Sequence, residues 1–399
     1  MTRAEETRAA GGLAADAVSS TVDVIADVHQ AIIRGVERWL PRPARAVTSL
    51  NSAAAGGIYE VVDAAVGSAL RAGAHLVAER PGPAPSHTEV GRAVQPILNG
   101  VWGDWLAVRR PTLAVPMAVR AGGDDVPPRP ASLASAFPDA TDRLVVFVHG
   151  LMESEQSWWY GQEGARTSFG DRLRVELGMT PIYLRYNTGL AVSENGPALA
   201  RLLDAVWAGW PVPVRRIDLV GHSMGGLVAR AACQAAAQVD LAWVDAVDTV
   251  ITLGTPHLGA PLAKAVPVGE WLLTRFPQSS PFARVLTGCS VGIKDLARGV
   301  VVGAADPPLP RHIAYHTVAT SLTRQPHHPA GWLVGDGMVR QTSALGTDRT
   351  RGIDVDPARA ARIGGVSHQG LLRHPAVYDQ LRTWLVARVG PGPGSSVGA

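Results

Sequence analysis

Cysteine is nearly absent. The chain of 399 residues holds Cys233 and Cys289 alone, so it has no disulfide framework, and Cys233 reads as a small buried hydrophobe. There is no apolar run of about eighteen residues, so no membrane-spanning helix is expected. The first ten residues carry Arg3, Glu5, Glu6 and Arg8 with no apolar core of signal-peptide length after them, and a cytoplasmic location is the expectation. Charge of one sign is also scarce. A net charge of +3, spread over scattered arginines and acids, gives no footing for nucleic acid. His327-His328 lie between Pro326 and Pro329 with no cysteine or further histidine spaced to join them, so neither a metal nor a cofactor is expected. With 46% hydrophobic and 18% charged residues, the chain is long and apolar enough to bury a large core and is not disordered.

What is present centres on Ile217-Asp218-Leu219-Val220-Gly221-His222-Ser223-Met224-Gly225-Gly226-Leu227-Val228. An apolar run of strand character meets Gly221, Ser223 and Gly225, and a helical pattern of small and apolar residues follows to Ala237. This is the G-x-S-x-G nucleophile elbow with a strand before it and a helix after it. The turn forces the serine into strained backbone geometry, so glycine is needed two residues to either side. The Ser223 hydroxyl then stands at the positive end of a helix.

A serine hydroxyl needs a base and a group that orients the base. Asp336 lies between Gly335 and Gly337, just after the apolar run Trp332-Leu333-Val334, and His368 precedes the helical pattern Gln369-Gly370-Leu371-Leu372. Both read as loop tips at element ends, where such folds gather catalytic groups. His257 is a rival base, but it comes before the acid in the chain, against the order serine, acid, histidine.

Five ordered pieces carry a resemblance: Phe147-Val148-His149-Gly150-Leu151, Gly221 to Gly226, Gly254-Thr255-Pro256-His257-Leu258-Gly259-Ala260, Gly335 to Val339, and Ser367-His368. Together they resemble the α/β-hydrolases of the lipase and esterase type, similar to bacterial triacylglycerol lipases and to GPI-inositol-deacylase-like hydrolases. The resemblance implies Ser223 as nucleophile, His368 as base and Asp336 as its orienter. It also implies an oxyanion hole made by the backbone N–H groups of Leu151 and Met224, with His149 holding the loop. Asp354 and Asp356 sit where some such lipases bind calcium, but an aspartate just after His368 is missing, so calcium is not expected.

In chain order, residues 1–80 read as two amphipathic helices forming an extension, and Pro81 to Ser86 as a linker. A third helical stretch runs to Trp105-Leu106, and an edge strand is expected over Leu113 to Val119. Gly122 to Pro128 reads as a break. Strands follow at Arg143–Val148, Pro181–Tyr186, Thr249–Leu253 and Ile313–Thr320, with a crossover helix over Glu194–Trp207. This alternation predicts an α/β fold, a mostly parallel sheet with helices on both faces, within a domain of residues 81–389. Residues 260–311 read as a lid or cap insertion with Trp271, Leu272, Leu273, Phe276 and Phe282, and 390–399 as a disordered tail. The expected activity is hydrolysis of a small-molecule or lipid ester. Acyl transfer by the same residues, and a non-catalytic scaffold, stay open as alternatives, as does peripheral membrane contact through the N-terminal helices.

Overall fold

The computed structural model describes residues 89–109, 111, 114–159, 167–260, 290–299, 310–347, 353 and 355–387, with the single positions 66, 68 and 72. The chain divides into two compact units, Asn99–Pro261 with Ser290–Ala399, and Met1–Leu98 with Leu262–Cys289. The expected extension over 1–80, apart from those single positions, and the expected tail over 390–399 lie outside the described residues. So do residues 261–289 and 300–309 of the expected cap.

The sheet belongs to the first unit. Its eight strands are β1 (Ala118–Ala121), β2 (Asp124–Val126), β3 (Arg143–Val148), β4 (Thr180–Arg185), β5 (Arg216–His222), β6 (Val247–Leu253), β7 (Ala314–Ser321) and β8 (Ala360–Gly364). They lie in the order β2-β1-β4-β3-β5-β6-β7-β8. From β4 to β8 every neighbouring pair is parallel, while β1 pairs antiparallel with both β2 and β4.

A parallel sheet must be covered on both faces, and β3 explains how its sequence meets that demand. All five residues after Arg143 are buried. Strand alternation sends Leu144, Val146 and Val148 into one core, shared with the helices Val192–Gly209 and Met224–Gln238 through Leu199, Leu203, Val206, Leu227, Val228 and Ala232. Val145 and Phe147 enter the other, with Phe169 and Leu173 of the helix Phe169–Leu177 and with Val377, Tyr378, Leu381 and Leu385 of the helix Pro375–Ala387. One unbroken apolar run thus nucleates two cores.

The run Gly122 to Pro128, expected as a break, instead closes a hairpin. Gly122 and Gly123 both have positive φ, 60° and 92°, which suits a two-residue turn between twisted strands, and β2 follows at once. Charge keeps this short edge in place: Arg120 pairs with Asp125 and Glu155, and Arg185 of β4 reaches Asp125 at 2.7 Å. The strand expected at the edge begins at Ala118, later than the alternation from Leu113 suggests, and stands second in the sheet because β2 pairs outside it.

The chain runs from β3 to β4 on one side, then returns to place β5 on the other side of β3. The connections leaving the C-terminal ends of β3 and β5 therefore run to opposite sides, and such switch points are where doubly wound sheets build sites. The described part of the expected cap, the helix Val291–Arg298, packs on this unit. Asp295 accepts the Val192 N–H at 2.9 Å, and the Leu296 carbonyl accepts the Ala260 N–H at 3.1 Å.

Phe147 tests the shared strand. It is fully buried, edge-on to Trp158 at 4.8 Å and stacked on Tyr183 at 5.1 Å. Phe147→Ala is expected to lower unfolding stability by about 3–5 kcal/mol, read from the denaturant midpoint at an unchanged slope.

Candidate active site

Ser223 follows β5 and heads the helix Met224–Gln238 with φ 51° and ψ −122°, a left-handed conformation rare for a residue with a side chain. The strain follows from close packing of backbone. A Cβ on Gly225 would stand 2.1 Å from the Val148 carbonyl oxygen, so the first helical turn lies directly on the end of β3. The Ser223 N–H is fixed to the Leu253 carbonyl of β6 at 2.9 Å. The elbow is therefore held between strands on both sides.

Asp336 and His368 meet where the spacing could only suggest that they might. His368 Nδ1 lies 2.7 Å from Asp336 Oδ2, and the His368 N–H donates to the Asp336 carbonyl at 3.0 Å. The other carboxylate oxygen of Asp336 accepts the N–H groups of Met338 and Val339 at 2.9 and 2.8 Å. Asp336 is reached through the short helix Pro329–Val334, so the apolar run before it is helical; the Gly335 carbonyl then returns to Leu322, past the end of β7. His368 follows β8, at the head of the turn Gln369–Leu372. Both side chains are buried. Burial pulls the His368 value down, but the charge and hydrogen bond of Asp336, joined by Glu153, hold it above the ordinary imidazole value. A Cβ on Gly254, just after β6, would lie 3.1 Å from Asp336 Oδ2 and 3.2 Å from His368 Nδ1, so this pair rests on the sheet's end.

The His149-Gly150-Leu151 turn lies beside the elbow. A Cβ on Gly150 would stand 3.1 Å from Ser223 Cβ. His149 stacks on Tyr186 at 4.5 Å, its Nδ1 meets the Gly150 carbonyl at 2.9 Å, and the Tyr186 hydroxyl donates to the His149 carbonyl at 2.8 Å. Within the turn the Gly150 N–H donates to Glu153 and the Met152 N–H to Thr188, with the Leu151 N–H between them.

Two residues here have no counterpart in the expected site. Glu153 Oε2 lies 2.8 Å from the Gly150 nitrogen and 3.1 Å from His222 Nδ1, and Glu153 Oε1 accepts from Gln369 at 3.1 Å. His222 Nε2 meets the His368 carbonyl at 3.2 Å, and the two imidazole rings lie 4.8 Å apart. Burial raises the Glu153 value, but His222 and the Gly150 N–H outweigh it and bring it down to about 2. The signal in the sequence was a glutamate two positions past Leu151 and a histidine inside the elbow. Nothing in the spacing joins the two.

The other candidates go elsewhere. His257 is buried with Arg230 on Nδ1 at 3.0 Å and Thr252 on Nε2 at 3.1 Å, and burial, then the Arg230 charge, hold its value well below ordinary. Both nitrogens are held by these two partners. Asp356 accepts the Ala358 N–H at 2.9 Å and caps a short turn.

The sheet order, with the strained serine and the buried acid–histidine pair at its strand ends, is that of the α/β-hydrolase fold. Within that class the sequence likeness runs to the lipase and esterase type. Residues 198–270 match the PGAP1-like alpha/beta domain family. A triacylglycerol lipase of Burkholderia plantarii is 29% identical over 164 residues, 39% of this chain and 40% of that protein. A triacylglycerol lipase of Pseudarthrobacter phenanthrenivorans is 29% identical over 137 residues, 32% of this chain and 37% of that protein. The alignments thus span about two fifths of the curated relatives' length. The mature lipase BlEst2 of Bacillus licheniformis is 20% identical with a TM-score of 0.42, covering 61% of this chain and 91% of that one.

The acid–histidine pair can be tested without a substrate. In the parent, His368 should titrate above the ordinary value of about 6.5, followed by NMR of labelled imidazole. Asp336→Asn removes the charge that favours the imidazolium while burial remains, so the midpoint should fall below that of the parent. An unchanged midpoint would separate Asp336 from the titration of His368.

Proposed function

We propose that the protein is a serine hydrolase of carboxylic esters, with Ser223 as nucleophile, His368 as base and Asp336 as the group that orients the base. One observation carries the reading: the buried 2.7 Å contact between His368 Nδ1 and Asp336 Oδ2, at the same strand ends where Ser223 stands on its strained turn. Asp336 accepts from Nδ1, which leaves the lone pair on Nε2 for the serine proton.

Ser223 Oγ attacks the ester carbonyl carbon while His368 Nε2 takes the hydroxyl proton. The carbonyl electron pair moves onto oxygen, where the N–H groups of Leu151 and Met224 receive the charge. Collapse breaks the bond to the alcohol, which leaves with the proton from His368. Water, activated by the same imidazole, then attacks the acyl-enzyme, releases the acid and frees Ser223. The start of the helix Met224–Gln238 lies under this centre, and its dipole favours the developing oxyanion. The similarity to triacylglycerol lipases makes glyceride-like and simple acyl esters the first substrates to try.

A fluorophosphonate probe and a p-nitrophenyl acyl ester supply the test. The parent should be labelled and should turn over the ester. Ser223→Ala should keep its melting temperature, lose the label and lose turnover by on the order of 10⁴-fold or more, since the serine and its base work as a unit. An alanine variant that kept turnover within about tenfold of the parent would take the role from Ser223.

A further inference from the structure

Resting on the reading above, we propose that Glu153 is a positioning residue for the reaction: one carboxylate that sets the oxyanion turn, the residue before the nucleophile and the loop of the base relative to one another.

Three loops from three strand ends meet on this side chain. Gly150 belongs to the turn after β3, His222 is the last residue of β5, and Gln369 follows the base beyond β8. Gly150 and His222 share Glu153 Oε2, at 2.8 and 3.1 Å, and Gln369 donates to Oε1 at 3.1 Å. His222 carries the connection one step further, because its Nε2 faces the His368 carbonyl at 3.2 Å. The oxyanion donor Leu151, the nucleophile Ser223 and the base His368 are each the neighbour of, or identical with, a residue held in this way.

A plain turn cap does not account for the arrangement. Capping would be complete with the Gly150 N–H, together with the Glu153 N–H that donates back to the Gly150 carbonyl at 3.3 Å. The contacts to His222 and Gln369 add nothing to that turn, and they cross 69 and 216 residues of chain. The side chain is 10% exposed, and a carboxylate so enclosed needs donors on both oxygens. The Gly150 and Gln369 N–H groups supply one to each, and His222 Nδ1 adds a third in the tautomer that carries its proton there. An amide of the same length has a single accepting oxygen and no charge: with that oxygen on the Gly150 N–H and His222 Nδ1, its NH₂ group is satisfied only if Gln369 turns its own amide over. Space is also short: a Cβ on Gly150 would meet Glu153 Oε2, His222 Nδ1 and Ser223 Cβ, each at 3.1 Å. A shift of the carboxylate therefore moves the turn that holds the Leu151 N–H.

The experiment compares Glu153→Gln and Glu153→Asp with the parent, with competent enzyme counted by fluorophosphonate titration. A p-nitrophenyl ester gives kcat and KM, and a trifluoromethyl ketone, whose hemiketal oxygen occupies the oxyanion position, gives Ki. In Glu153→Gln, kcat per competent site should fall by on the order of 10²-fold, and Ki should rise in parallel. KM should stay within about threefold, because ground-state binding does not use the oxyanion turn. Glu153→Asp, which keeps the charge and both accepting oxygens, should recover at least about tenfold of the loss in kcat. A kcat per competent site within about twofold of the parent, or a loss of kcat with no change in Ki, overturns the role. If both variants fail to fold, Glu153 is a packing requirement and the role is overturned. Turnover retained in Ser223→Ala overturns this reading and the one it rests on; turnover lost there, with parent-like constants in Glu153→Gln, overturns this one alone.

Discussion

Contact between the backbone of Gly225 and the carbonyls of Val148 and His149 is the constraint on which the site depends. It brings the start of the helix Met224–Gln238 against the end of β3, leaving no room for even one methyl group. With the helix so close, Ser223 cannot continue β5 and turns into a positive φ. That conformation is uncomfortable for a serine by roughly 1–3 kcal/mol, and the surrounding sheet must over-determine it. The sheet does so through the β3–β5 and β5–β6 ladders and the bond from Ser223 to Leu253. The same approach sets the Leu151 turn and the Met224 amide around one serine. Strain and the proposed function share a single cause here.

Around that serine the charges are arranged in two histidine–carboxylate pairs with different surroundings. In one, Asp336 has an oxygen filled by two backbone amides and turns the other to His368. A carboxylate committed in this way presents one fixed acceptor, which selects the imidazole tautomer and its plane. In the other, Glu153 spreads its acceptors over three strand ends, and His222 lies between that carboxylate and the His368 backbone. The first pair sets a proton's place and the second sets a loop's place. Glu153 also adds its charge to the Asp336 field on His368, so the two pairs are electrically linked.

Much of this was legible in the residues because local rules govern it. A run such as Leu144-Val145-Val146-Phe147-Val148 can satisfy alternation only if both faces are covered, so it announced a buried parallel strand. Gly221 and Gly225 announced the elbow because no other residue fits so close a backbone approach. Asp336 and His368 stand out by their loop settings and chain order, but their meeting requires the sheet to bring β7 and β8 side by side. Glu153 was not legible at all. Its partners Gln369 and His222 are distant in sequence, and a glutamate in a turn has no periodicity to betray it. The hairpin at Gly122-Gly123 is hidden for a different reason. Its second strand is three residues long and acidic, and depends on Arg120 and Arg185 more than on apolar contacts.

β5 shows why a perturbed carboxylate does not by itself mark a site. Asp218 lies near the start of that strand, fully buried, and burial lifts its value to about 6 against the opposing pull of Arg216. By perturbation alone it would rank with a catalytic acid. Yet both its oxygens are taken by the Arg216 guanidinium, at 2.7 and 2.9 Å, within its own strand, and the same Nη2 that holds one of them lies 3.1 Å from Asp248 of β6. The cluster stitches the N-terminal ends of two parallel strands. Four residues on, at the other end of the same strand, His222 and Ser223 face the turns that follow β3 and β8. A parallel sheet exposes diverging loops at its C-terminal edge and returning connections at its N-terminal edge, so only the former leaves space beside a charged group for a substrate. Position along the strand, more than the size of any shift, separates the carboxylate that holds the sheet from the groups proposed to work on an ester.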